Sequence, residues 1–540
     1  MTDDFPFAEI NVFQLGLYAQ DKWTVSDKLN LTLGLRIDVP FFMTDLQSND
    51  KVAAETYRDG IKIDVSKYPN AKPQFSPRFG FNYKPFDDEN GSLQIRGGTG
   101  LFTGTPPYVW ISNQAGNNGV LFGDLNVRAV KDKNDNIISD GRPSLGFTGN
   151  MDTYKPAEGS ATRSDIAITD PDFKYPSLWK SNIAADYKFG DGWVATVELL
   201  YSKDINAIYH DNIGLYRTEQ FVNDGGAGNA RPYYNGYYSD REGNQKAANH
   251  VVMLRNTSKG HSLYTTFQLQ KNFVDGILKG LYLNGSYSFG QSRGVTDGTS
   301  SVATSAWKYR AALDGNAEEV GYTAGSFDGR LLLSASYTAN WSKYAATSFG
   351  LIYQRYRPFR YSYCYNGDAN GDSQFSNDLM YIPANFDEVK DHLLPGDFDS
   401  QEDAWKAMNA FIEQDPYLSK HRGEYAERNG AVAPFANQLD LSVSHDIKIY
   451  QKNGRSHTLR FSFNIANFLN LLNRNWGVVQ TTVLGNQQYQ FLTIPKGQGP
   501  SAANNYTLKY TMAKDLDETF KDNLNDVSRW QMQFGIKYIF

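Results

Sequence analysis

Asp368-x-Asn370-x-Asp372, followed by Gln374 and Asp378, is the densest run of metal-type ligands in this 540-residue chain. Carboxylate and amide oxygens two residues apart, turned by Gly371, can converge on one hard cation such as Ca2+. The run departs from a full calcium loop, with Ser373 where a glycine belongs and the closing acid one position early. The competing reading of Asp368, Asn370, Asp372 and Asp378 is a polar turn held by Asx-type hydrogen bonds. A second set is aromatic. Tyr233, Tyr234, Tyr237 and Tyr238, together with Trp110, offer rigid rings with polar tips that suit a sugar or peptide. The same rings serve equally to pack a loop on itself or to anchor it at an interface. Gly290-Gln291-Ser292-Arg293-Gly294 matches the hydrolase nucleophile elbow by letter, but that motif needs a strand–turn–helix setting and a positioned histidine. The histidines (210, 250, 261, 392, 421, 445 and 457) show no metal-ligand spacing, and neither a phosphate-cradling glycine loop nor a paired acid–base set is present. The chain reads as a non-enzyme, with Ca2+ as its one cofactor candidate.

The elements that must position these residues are strands. At the C-terminus Trp530, Met532, Phe534, Ile536, Tyr538 and Phe540 alternate with Gln531, Gln533, Gly535 and Lys537. One apolar and one polar face, closing on an aromatic residue, fits a barrel strand between lipid and a polar lumen. The pattern recurs in Leu29-Leu31-Leu33-Leu35-Ile37, Trp193-Ala195-Val197-Leu199-Tyr201, Leu331-Leu333-Ala335-Tyr337 and Leu459-Phe461-Phe463-Ile465. Strands are predicted at 11–23, 29–40, 75–85, 93–104, 176–189, 193–209, 261–274, 281–290, 330–341, 346–360, 435–450, 457–471 and 528–540. Short links (Thr24–Lys28, Phe86–Ser92, Gly190–Gly192, Val274–Gly280, Ser342–Ala345, Gln451–Ser456) alternate with long ones at 41–74, 105–175, 210–260, 291–329, 361–434 and 472–527. Tight turns on one side and long excursions on the other are the asymmetry of an outer-membrane barrel. The count is thirteen, or fifteen if 472–527 hides a hairpin of Thr481–Ile494 with Tyr506–Met512. Ser400-x-x-Asp403 opens a helix carrying Trp405, Met408, Phe411 and Ile412 on one stripe, ending before Pro416.

Composition agrees. The 35 Tyr, 33 Phe and 9 Trp make 14% aromatics, as expected where rings sit at both membrane interfaces. Mean hydropathy is -0.53 and no run approaches the length of an apolar transmembrane helix. A net charge of -6 without a basic tract argues against nucleic acid as a partner. The single cysteine, Cys364, excludes a disulfide framework. No charged-then-apolar signal segment precedes the first strand, and an odd strand count cannot leave both ends in the periplasm. Met1 therefore reads as an internal start or a truncation point.

Several segments carry a family resemblance. They are Phe75-Ser76-Pro77-Arg78-Phe79-Gly80-Phe81-Asn82-Tyr83, Arg96-Gly97-Gly98-Thr99-Gly100 with Pro107-Tyr108-Val109-Trp110, Gly367–Asp372 with Asn377-Asp378-Leu379, Phe411–Gly423, and Asn464–Gly477. From about residue 11 to the C-terminus the chain resembles the Oar-like branch of TonB-dependent outer-membrane receptors, more distantly the SusC/RagA-type transporters. The resemblance implies an all-β, antiparallel transmembrane barrel in the outer membrane of a Gram-negative bacterium. Residues 1–540 would be its C-terminal part, about 13–15 strands of a probable 22, with long extracellular loops. The plug, TonB box and first strands of the family are missing from this sequence. The implied function is active transport of a large or scarce ligand, energised by TonB through that plug. A plugless passive pore or adhesin, and a barrel used in protein export or surface display, are the alternatives. The implied partners are outer-membrane lipid, the TonB complex, an oligosaccharide, peptide or protein ligand, and a surface lipoprotein.

Overall fold

The computed structural model describes residues 8–89, 91–120, 130–131, 137–139, 164–222, 224, 231–450, 456–484, 488–501, 506–512 and 518–540. Thirteen long strands follow one another in a single antiparallel path. They are β1 (Val12–Ser26), β2 (Leu29–Phe42), β3 (Gln74–Asp88), β4 (Gly91–Thr103), β5 (Ser177–Phe189), β6 (Trp193–Asp204) and β7 (Gly260–Asn272). The path continues through β8 (Leu281–Gly294), β9 (Arg330–Ser342), β10 (Ala345–Tyr356), β11 (Ala436–Tyr450), β12 (Ser456–Ala466) and β13 (Gln531–Ile539). Each pairs with its neighbours in sequence, so spatial order equals chain order. Since the strands are antiparallel, every short turn falls at one end of the wall and every long connection at the other.

Register turns the alternation of single strands into two continuous faces. Phe349, Val443, Phe463 and Phe534 lie side by side on β10 to β13. One residue along, Ser348, Ser444, Ser462 and Gly535 form the neighbouring row on the other face. Apolar side chains such as Leu17, Leu33, Val197, Leu269 and Phe534 are exposed on the first face, the one that meets lipid. The polar face carries ion pairs between neighbouring strands: Arg96 Nε to Asp186 Oδ2 at 2.9 Å, and Arg460 to both oxygens of Asp446 at 2.6 and 2.8 Å. These pairs are half-exposed, so they add little stability and chiefly keep the lumen charges satisfied. The glycine run in β4 has a packing reason: a Cβ on Gly97 would stand 2.8 Å from the ring of its cross-strand partner Phe81.

The wall matches the predicted strands closely, with four corrections. The strand expected over 346–360 ends at Tyr356, and Arg360–Tyr363 pairs instead with Ala431–Val432 and Gln488–Tyr489. The strand expected over 193–209 ends at Asp204, and Ala207–Asn212 pairs instead with Ala248–Thr257 in the long connections. The one expected over 457–471 ends at Ala466. Asn467 adopts a left-handed conformation (φ 52°) and leads into a short helix, Phe468–Leu472. The hairpin suspected in 472–527 does not enter the wall; Leu508–Tyr510 lies between Leu492–Thr493 and Leu393–Leu394 and pairs with both.

The long connections fold together into a cap. Its largest core joins Val222 and Tyr233 to Tyr361, Tyr363, Met380, Met408, Phe411, Tyr489, Phe491 and Tyr506, drawn from three connections. A second core joins Val52, Tyr57 and Val65 to Ile166, Ile213 and Val251, from three connections again. Helix α1 (Tyr108–Gly116) buries Ile111 and Ala115, and helix α2 (Gln401–Gln414) buries Ala404, Met408, Phe411 and Ile412. Ser400 caps α2 as expected, its Oγ accepting from Asp403 N at 3.1 Å and donating to Asp403 Oδ2 at 2.8 Å. Trp405 packs on Phe386. The wall, by contrast, holds few fully buried side chains, because lipid takes the place of a core on one face.

The two-face register makes a direct prediction. Leu333→Arg, on the lipid face of β9, should lower unfolding stability in bilayers by about 2–4 kcal/mol. Its sequence neighbour Ser334→Arg, on the polar face, should change it much less. Denaturant unfolding of both variants in lipid vesicles checks the assignment.

Candidate functional site at the capped mouth of the barrel

The cap is pinned by two knots of charge, the first without access to water and the second partly exposed. Arg231 opens the short strand Arg231–Tyr237 and its side chain is fully buried. Its Nε lies 3.0 Å from Asp224 Oδ2 and its Nη1 3.1 Å from Asp378 Oδ1, while Nη2 donates to Leu379 O. The rings of Tyr365 and Tyr425 flank the guanidinium, and Tyr425 donates its hydroxyl proton to Asp224. Desolvation opposes the charge, but Asp224 and Asp378 outweigh it and place the guanidinium well above the ordinary arginine range. This knot ties the 210–260 connection to the 361–434 connection. A second one, Arg58 and Arg255 on Asp211 with Arg255 Nε 3.1 Å from Asp170, ties in the 41–74 and 105–175 connections.

The metal-type run sits beside the first knot. Asp368 Oδ1 accepts from Asn370 N (3.1 Å) and Gly371 N (2.6 Å), and its Oδ2 accepts from Ser373 N at 2.8 Å. Asp372 Oδ1 accepts from Gln374 N, and Asp378 Oδ2 from Ala369 N. The backbone is therefore arranged as nested Asx turns. Ser373, at the position glycine would hold in a calcium loop, has a φ of 66°. Burial pushes Asp368 above the usual carboxylate range, and burial with repulsion from Asp378 and Asp368 pushes Asp372 well above it. Among the described residues no three His, Cys, Asp or Glu side chains gather in a metal-holding arrangement.

The aromatic set is divided by the fold. Tyr233 and Tyr234 are buried, the first against the Gly371 turn and the second donating its hydroxyl proton to Asp314 Oδ1 at 2.7 Å. Tyr237 meets His250 edge-on, and Tyr238 meets Tyr216 likewise. Their rings face four different neighbours within the cap. Trp110, on α1, donates its Nε1 proton to Ser300 O at 2.8 Å and stands edge-on to His210. It also lines a cavity of about 500 Å3 with Phe102, Pro107, Lys180, Asp204 and Ile208. Phe102, Lys180 and Asp204 belong to the polar face of β4, β5 and β6, so this cavity lies between cap and wall on the lumen side. Arg78 stacks on Phe102 with its guanidinium carbon 4.5 Å from the ring centroid. A pocket of this size, with one aromatic wall and charges of both signs, suits a small polar molecule or one end of a larger one. Ser292, from the elbow-like letters, lies within β8 opposite Ser262, in a strand pair rather than a strand–turn–helix.

Sequence reasoning missed Arg231, Phe102 and Lys180. Arg231 stands beside the tyrosine run, yet its partner Asp378 is 147 residues away and no local spacing reveals the pair. The phase of Phe102 with Gly98 and Gly100 was a usable signal.

The profile of the family described as outer membrane beta barrel domain matches residues 2–502. The chain belongs to that family. It is a protein of the Gram-negative outer membrane, crossing with strands. No curated protein sequence matches it. Among solved structures, the ferric enterobactin receptor PfeA of Pseudomonas aeruginosa aligns with a TM-score of 0.40 at 10% identity, covering 98% of this chain and 45% of the receptor. The FrpB iron transporter of Neisseria meningitidis aligns at 0.37 and 12%, covering 85% and 41%. The ferric preacinetobactin receptor BauA of Acinetobacter baumannii aligns at 0.36 and 11%, covering 93% and 41%. The barrel chain thus spans less than half the length of each.

Two predictions follow from the cap. Arg231→Met strands two buried carboxylates and should cost about 3–5 kcal/mol of cap stability, seen as faster proteolysis of the outer connections. His250 gives a pH effect of known sign. Asn212 Oδ1 is occupied by Gly214 N and Val251 N, so Asn212 Nδ2 faces His250 Nδ1 at 2.8 Å and that nitrogen must accept. The buried ring is held neutral, its pKa below the usual 6.5 chiefly by burial, with Lys308 acting in the same sense and Asp165 against it. A histidine depressed in the folded state contributes stability that is complete above pH 6.5 and lost as pH falls. Measured by hydrogen exchange in the cap, the advantage of wild type over His250→Gln should shrink steadily as pH drops below 6.5.

Proposed function

We propose that this chain forms the greater part of the wall and the outer cap of an outer-membrane active transporter, in the Oar-like branch of the TonB-dependent receptors. A ligand too large or scarce for passive pores binds the cap, then passes when a plug outside this chain is displaced by the TonB complex. The observation that supports this reading is the cavity between cap and lumen wall. Trp110, Thr296, Asp297 and Gly298 of the cap meet Phe102, Lys180 and Asp204 of the wall around one space of about 500 Å3. A passive pore works best with an open mouth, whereas a receptor needs a structured one. Among the described residues the outer edges of β1 and β13 are unpaired, which suits the same reading. In lipid each must be met by further strands, since unpaired backbone groups there are prohibitively costly. The proposed ligand class is an oligosaccharide, peptide or protein fragment whose polar end enters the cavity.

The native protein, extracted intact from its source membrane, tests the proposal. Its mass should be well above 60.7 kDa, and planar-bilayer recordings should show no steady channel. A mass near that value with a stable open conductance would establish a plugless pore and overturn the transporter reading.

A further inference from the structure

Each deeply buried arginine of the two knots has a carboxylate, as does Arg360, which is paired with Asp328. Arg310 and Arg428 are exceptions. Both are more than nine-tenths buried, and neither is ion-paired among the described residues. Arg310 donates through Nη1 to Val295 O at 3.4 Å and through Nη2 to Gly315 O and Ala317 O. Arg428 donates to Val295 O, Gly294 O and Gly321 O. The Nε of each, a donor without accessible surface, has no hydrogen-bond partner. Both side chains line one cavity of about 70 Å3 together with Thr296, Thr299, Ser362 and Asn429.

Two guanidinia face that space against a single carboxylate, Asp297, whose oxygens already accept from Ala324 N at 2.8 Å and Asn429 Nδ2 at 3.0 Å. The lining therefore carries excess positive charge, and Thr296, Thr299 and Ser362 add hydroxyls to it. Burial pulls both arginines below their ordinary range, Arg428 to about 10, because carboxylates at a distance (Glu319 for both, with Asp314 and Asp211 for Arg310 and Asp297 for Arg428) offset it only in part. A buried charge in this condition is costly unless a counter-charge is supplied. At ~30 Å3 per water molecule the space holds one small ion and excludes a sugar ring.

We propose that the cavity between Arg310 and Arg428 binds a small inorganic anion, chloride or a tetrahedral oxyanion such as phosphate. The ion completes the charge balance where the 291–329, 361–434 and 472–527 connections meet, the last contributing Gln488. It therefore serves as a removable pin of the cap. The site adjoins the lumen-side pocket through Thr296 and Asp297, which line both, and the pinning role does not depend on what the barrel transports.

The test uses the full-length protein in detergent, with sodium chloride or sodium phosphate titrated against sodium gluconate at constant ionic strength. Proteolysis of the outer connections should slow saturably, by roughly tenfold at ten times the Kd, and Tm should rise in step. Crystals soaked in bromide should show an anomalous peak between the two guanidinia if chloride is the ligand; phosphate density there identifies the oxyanion. Arg428→Gln should abolish the saturable response, and Arg428→Lys should retain part of it. A response that follows ionic strength alone, or that persists unchanged in Arg428→Gln, overturns the proposal. So does a cavity holding only water at saturating chloride and phosphate, a readout that does not require any variant to fold.

Discussion

Inside a bilayer no water is available to a free N–H or C=O, and the rest of this molecule follows from that constraint. It forces the membrane-crossing residues into strands that hydrogen-bond side by side, here thirteen in chain order. Strands that cross back and forth must be joined alternately at the two ends. With tight turns at one end, all the chain available for recognition accumulates at the other. The cap is thus where selection can act without disturbing the wall.

Cap and wall solve the burial problem differently. The wall exposes one apolar face to lipid and keeps a charged, hydroxyl-rich face toward the lumen, so it needs no core. The cap has to make its own, and it does so with aromatics. Tyr361, Tyr363, Tyr489, Phe411 and Phe491 pack in edge-on, tilted and stacked contacts with centroids 5.1–6.4 Å apart. Two of the hydroxyls meet polar partners: those of Tyr361 and Tyr363 lie 3.3 Å apart, and Tyr363 donates to Asp415 Oδ2 at 2.6 Å, which also accepts from Thr519 Oγ1. The high tyrosine content thus has two sources, the membrane interface and this interior.

How much of this was legible depended on the range of the determining contacts. Strand alternation is decided by nearest neighbours, so Leu331, Leu333 and Ala335 announced both their strand and its face. The capping box at Ser400 is equally local and was read correctly. The ends of β6 and β12 were overrun because apolar residues continue past them, at Ile208 and at Phe468 and Leu469. There the pattern belongs to the cap or to a short helix. The cap itself was opaque, since apart from Asp224, 7 residues from Arg231, the aspartates of its knots lie 44 to 153 residues from the arginines across connections whose composition reads as ordinary polar loop. Tyr233, Tyr234, Tyr237 and Tyr238 illustrate the ambiguity: the sequence offered a stacking surface or loop packing, and the fold turns each ring toward a different neighbour.

The shared core of the cap has a consequence for how such a surface can change over time. Loops that hang separately from a barrel can each drift, lengthen or be exchanged without regard to the others. Here Tyr233 from one connection, Tyr363 from a second and Tyr489 from a third occupy one interior. A substitution in any of them must be accommodated by the other two. The exposed residues between these anchors are free to vary, while the anchors are bound to change together. Antibodies or phages that recognise this face would meet a composite surface assembled from segments distant in sequence, and short peptides copied from single loops would reproduce little of it.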